Sequence, residues 1–98
     1  MKLNVFGLKV TVSAQPNLMS EHGCRGIYQP STGKMIYDPT LKHKDLLQTV
    51  IHEVIHAVIC RVGIEQARMS EDMEEIICES VSVALVENWK QLNQLLRP

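Results

Sequence analysis

The five residues His52-Glu53-Val54-Ile55-His56 spell H-E-x-x-H. On a helix, positions i and i+4 stand one turn apart on the same face, so both imidazoles can reach a single ion. Glu53 lies about 100° round the helix from His52. It cannot share the ligand position, but it can reach a water held beside the ion, which is the place of a general base. The chemistry this spacing supports is metal-assisted hydrolysis, with zinc as the ion. From Leu46 to Cys60, His52, Glu53 and His56 are the only acidic, basic or imidazole side chains in a mostly apolar run. Burying them without a partner would be costly, and a metal ion is such a partner.

A catalytic zinc takes three protein ligands and a water. Ile59 and Val62 stand where the longer H-E-x-x-H-x-x-G-x-x-H pattern would place a glycine and a third histidine, so that pattern is excluded. The remaining source is a carboxylate further along: Glu71, Glu74, Glu75, Glu79 or Glu87. A helical wheel sets Glu79 between Val86 on one side and Ile76 and Val83 on the other, an apolar face where a carboxylate needs a reason to be. Glu75, about 40° away, faces Ser82 and Trp89 and lies nearer the helix start. Glu79 is therefore the expected third ligand and Glu75 the alternative. A closed site using Cys60 and Cys78 would want tighter cysteine spacing and would leave Glu53 without a purpose. The thiols read instead as small apolar side chains, and His22 and His43 as surface residues.

The elements that must hold these groups change character near Pro39. Before it the chain reads as strands and turns. Val5, Leu8, Val10 and Val12 suggest one strand with Gly7 as a bulge. A breaker-rich loop follows over 13–26, with one helical turn near Leu18 to His22. Gly26–Gln29 and Lys34–Asp38 flank Pro30-Ser31-Thr32-Gly33 as a hairpin. After Pro39 the chain reads as helices. The first spans Leu46 to Val62 and stops at Gly63. After a connector from Gly63 to Ser70, the second runs from Glu71, capped by Ser70, past Trp89.

Thr49-Val-Ile-His-Glu-Val-Ile-His-Ala-Val58, followed by Glu74-Glu-Ile-Ile-Cys-Glu-Ser-Val-Ser-Val-Ala-Leu85, resembles the minimal gluzincin-type zinc metallopeptidases. It is most similar to small phage- and prophage-encoded zincin-like proteins, and more loosely to the ImmA/IrrE-like metallopeptidases. The resemblance covers about residues 26–90 in order of elements. It implies His52, His56 and Glu79 as zinc ligands, Glu53 as general base, and a peptide or protein as substrate.

Composition narrows the setting. The 98 residues suffice for one domain spanning 1–98, with 45% hydrophobic and 21% charged residues as in an ordinary globular chain. Ten Lys and Arg against eleven Asp and Glu leave a net charge of −1, which argues against a nucleic-acid binder or a polybasic membrane clamp. Three cysteines, none in a C-x-x-C pair, fit a reduced cytoplasmic chain. There is no signal-peptide apolar region and no apolar run long enough to span a membrane.

The expectation is thus a small α+β zincin-like domain: a short N-terminal sheet packed on two helices that carry the metal. Zinc-dependent peptide hydrolysis is the expected activity, with the strand around Met35-Ile36-Tyr37 offering an edge to an extended peptide. The competing expectation is a non-catalytic zinc-stabilised binding module, such as a phage or prophage accessory protein, that binds a partner without turnover.

Overall fold

The structure, a computed structural model, describes residues 1–63 and 69–97. The expected connector between the two helices falls mostly outside the described residues. The architecture is α+β, with strands β1 (Lys2–Val5), β2 (Leu8–Ala14), β3 (Gly26–Gln29) and β4 (Lys34–Tyr37), and helices α1 (Leu18–His22), α2 (His43–Val62), α3 (Glu71–Glu87) and α4 (Trp89–Gln94).

The single strand expected over the first dozen residues is a hairpin. Phe6 and Gly7 both adopt positive φ, 48° and 82°, the signature of a tight turn whose twist matches the strands it joins. Gly7 is therefore a turn residue rather than a bulge, and Val5 pairs with Leu8 across it. The four strands order as β1-β2-β4-β3, antiparallel within each hairpin and parallel where β2 meets β4. This order corrects the expectation for Met35-Ile36-Tyr37. That strand is internal, hydrogen-bonded to β2 and β3 on its two sides, and so has no edge to offer. The free edge near the helices belongs to β3.

One face of the sheet carries Val5, Val10, Val12 and Met35, and Ala57 of α2 packs into the same cluster with Val50, Val54 and Val58 around it. Because α2 is apolar on most sides, it can lie between the sheet and α3 and present one flank to each. It starts three residues earlier than expected and ends at Gly63, whose φ of 75° gives the left-handed stop. Helix α3 begins at Ser70, whose hydroxyl accepts from the Met73 backbone N–H at 3.1 Å, and its first turn carries Glu71, Asp72 and Glu74. It ends at Asn88, earlier than the sequence suggests, and α4 follows as a separate short helix. Among the described residues no helix is long and apolar enough to cross a membrane.

The buried stripe of α3 is Cys78, Ser82 and Val86, each about one turn from the next. Ile76, which sequence reasoning placed on the apolar face beside Glu79, is 61% exposed. Small side chains at Cys78 and Ser82 let α3 approach α2 closely. The carboxylates beside that stripe thereby come within reach of the α2 histidines.

Candidate metal centre

His52 and His56 project from the α3-facing flank of α2, their ring centroids 5.0 Å apart. Each ring has a carboxylate on its Nδ1. Glu79 Oε2 stands 3.0 Å from Nδ1 of His52, and Glu74 Oε2 stands 3.0 Å from Nδ1 of His56. An ionised carboxylate can only accept, so each Nδ1–H is the donor. In a neutral imidazole that tautomer leaves Nε2 with its lone pair bare, the state a metal-binding histidine needs. The tautomer is assigned from these hydrogen-bond partners.

Both Nε2 atoms face Glu75. Its Oε1 lies 2.6 Å from Nε2 of His56, and its Oε2 lies 3.3 Å from Nε2 of His52. With Nδ1 already donating, two lone pairs would oppose a carboxylate at hydrogen-bond distance. A proton at each contact or one cation between them resolves that opposition. The donor set fits a cation. Ligands about 2.0–2.1 Å from a tetrahedral zinc stand roughly 3.3 Å from one another, which the Glu75–His52 separation matches, whereas Glu75 would have to draw back from its 2.6 Å contact with His56. His52, His56 and Cys78 also form a group able to hold a metal ion, with one ligand atom from each lying within 4.8 Å of the others.

Glu53 sits on the sheet side of this cluster, 8% exposed, with Oε2 4.0 Å from Nε2 of His52. Burial pushes its carboxyl pKa up. The imidazoles of His56 and His52, and then a hydrogen bond from the Tyr28 backbone, oppose that rise. A carboxylate with raised proton affinity is suited to taking a proton from water. Close approach of β3 to α2 makes this placement possible, and it depends on Gly26. A Cβ there would stand 2.7 Å from Thr49 Cγ2, 3.1 Å from the Ile36 carbonyl oxygen and 3.4 Å from Glu53 Cγ. Cys78, on the buried stripe of α3, is fully buried. Its thiol pKa is pushed up to about 12, first by burial and then by the charges of Glu75, Glu74 and Glu53.

The groups line one cleft of about 550 Å³. Arg25, Gly26, Ile27 and Tyr28 form its sheet wall. Gln48, His52, Glu53 and His56 come from α2, and Glu74, Glu75 and Glu79 from α3. Four carboxylates around two imidazoles make it strongly acidic, which favours a bound cation.

His52, Glu53, His56 and Glu79 line one cleft. Within it, Glu79 meets Nδ1 of His52 rather than the Nε2 atoms, and its Oε1 accepts from Gln48 Nε2 at 2.8 Å. Glu75, the alternative, is the residue that faces both Nε2 atoms. Glu74 as the partner of His56 was not anticipated. Its signal was available, since Glu74 and Cys78 are separated by one helical turn, as are Glu75 and Glu79. No protein family, curated protein or solved structure matches the chain.

Proposed function

We propose that the chain is a zinc-dependent metallopeptidase of the minimal gluzincin kind, with His52, His56 and Glu75 as ligands and Glu53 as general base. The observation that carries this reading is the convergence of both Nε2 atoms on the Glu75 carboxylate, beside a buried acid. Glu79 and Glu74 orient the two rings through Nδ1 and raise their basicity. Bound zinc supplies Lewis acidity that brings the pKa of water from about 16 towards ~7. Glu53 accepts the proton that water loses and returns it to the leaving amine.

The substrate in this reading is an extended peptide laid along the free edge of β3. Gly26, Ile27 and Tyr28 line the cleft there, and backbone pairing would hold the chain with little side-chain selection. The three cysteines form no disulfide among the described residues, which suits a reduced, cytoplasmic setting.

One observation favours the non-catalytic zinc module: Cys78 lies close enough to the histidines to fill a fourth position. Glu53→Gln separates the two readings, because glutamine keeps the shape and cannot accept the proton. Hydrolysis of unfolded protein or a peptide library should fall by about 10²–10⁴-fold with zinc content unchanged. Equal cleavage by wild type and variant, or none by either, removes the catalytic reading.

A further inference from the structure

We propose that Cys78 is itself an inner ligand, so that the resting centre is a closed His52-His56-Glu75-Cys78 site selective for a thiophilic divalent cation. This inference rests on the metal-centre reading above and extends it to the buried side of the cluster.

The geometry carries it. Cys78 Sγ and one nitrogen from each histidine lie within 4.8 Å of one another. A tetrahedral zinc with Zn–S near 2.3 Å and Zn–N near 2.0–2.1 Å brings sulfur and nitrogen to roughly 3.6 Å apart, so only small side-chain adjustments close the set. Cys78 and Glu75 differ in their exposure. Cys78 is buried on the stripe of α3 that includes Ser82 and Val86, whereas the Glu75 side chain is 60% exposed.

Two consequences follow. Sulfur among the donors selects zinc, cobalt or another thiophilic ion over magnesium and calcium, which take oxygen donors. With all four positions held by protein, a water site opens where a donor can withdraw, and exposed Glu75 has room to do so while buried Cys78 does not. Binding is balanced by one proton: the thiol S–H breaks, sulfur bonds the cation, and the proton passes to solvent.

The test uses the full chain, stripped of metal, titrated with cobalt(II) chloride and then with zinc chloride. Wild type is expected to show a near-ultraviolet sulfur-to-cobalt charge-transfer band that grows to one equivalent and is abolished by zinc. Cys78→Ser should lose that band while keeping the visible cobalt bands. It should release one proton fewer on binding, and its zinc affinity should fall by more than the ~10–100-fold typical of outer partners. Cys78→Ala serves as a second variant, and the wild-type band is read independently of either. Cobalt bound at one equivalent with no charge-transfer band would overturn the Cys78 assignment and leave the His52-His56-Glu75 centre standing. A band that persists in Cys78→Ala would place the sulfur at Cys24 or Cys60, which line the cleft, and would likewise overturn it. A folded wild-type chain that binds neither cobalt nor zinc would overturn both this inference and the metal-centre reading.

Discussion

Glu79 Oε2 lies 3.0 Å from Nδ1 of His52, while Glu75, one turn earlier on the same helix, holds an oxygen against Nε2 of that ring. The two carboxylates bracket the imidazole, and only the Nε2 side is shared with His56. Glu75→Gln is therefore expected to lower zinc affinity by more than about 100-fold, and Glu79→Gln by about 10–100-fold, the range for a partner that orients a ligand. Competition against a chelating dye measures both. The opposite order would move Glu79 into the inner set.

Gly26 sets the distance between β3 and α2. Its neighbours Thr49 Cγ2 and the Ile36 carbonyl oxygen leave no room for a methyl group. Gly26→Ala should lower stability by about 1–3 kcal/mol, the usual range for overpacking. It should also reduce any hydrolysis, because Thr49 and Glu53 lie one turn apart on α2 and move together. Thr49→Ser removes the offending Cγ2 and should restore part of the loss in the double variant. Chemical denaturation of the four proteins checks this, and strict additivity of the two single effects would count against the contact.

Asp38 organises the turn before α2. Its Oδ2 accepts from the Met19 backbone N–H at 2.8 Å, and its Oδ1 accepts from the Thr40 backbone N–H and hydroxyl at 2.8 and 2.6 Å. The Thr40 hydroxyl first, then backbone N–H groups, hold its pKa below the ordinary carboxylate value. A depressed native pKa stabilises the fold fully above the unfolded value of about 3.9, and the contribution is lost as pH falls through the lower native value. Asp38→Asn should melt several degrees lower at pH 7 and show a smaller further loss below pH 4 than wild type. Parallel melting curves across that acid range would contradict the assignment. Thermal scans of both proteins in metal-free buffer from pH 7 to pH 2.5 supply the comparison.

The α2 histidines and the β3–β4 hairpin were legible in the sequence because spacing alone dictates them. Residues i and i+4 of a helix share a face wherever the helix packs, and a Pro/Ser/Thr/Gly run between β-prone stretches turns the chain. The β1–β2 turn was not, because Phe6 takes a positive φ that its residue type does not advertise, and Gly7 alone is equally compatible with a bulge. The expected ranking of Glu79 over Glu75 rested on a helical face that the structure places differently. It presumed that Ile76 marks the buried face of α3, whereas the small pair Cys78 and Ser82 marks it. Hydropathy ranks isoleucine as core, but close helix approach is set by side-chain size. Which strand forms the free edge also lay beyond local pattern, since β2 pairs with β4 across the intervening α1 and β3.

The central claim is that a metal ion, rather than protons, stands between His52 Nε2, His56 Nε2 and Glu75. Elemental analysis of the chain purified without added metal measures this most directly. The account predicts about one zinc per chain, the count for a single tetrahedral site, falling to none in His52→Ala and in His56→Ala. A folded wild-type protein that carries no metal and takes up none when zinc is supplied would contradict it.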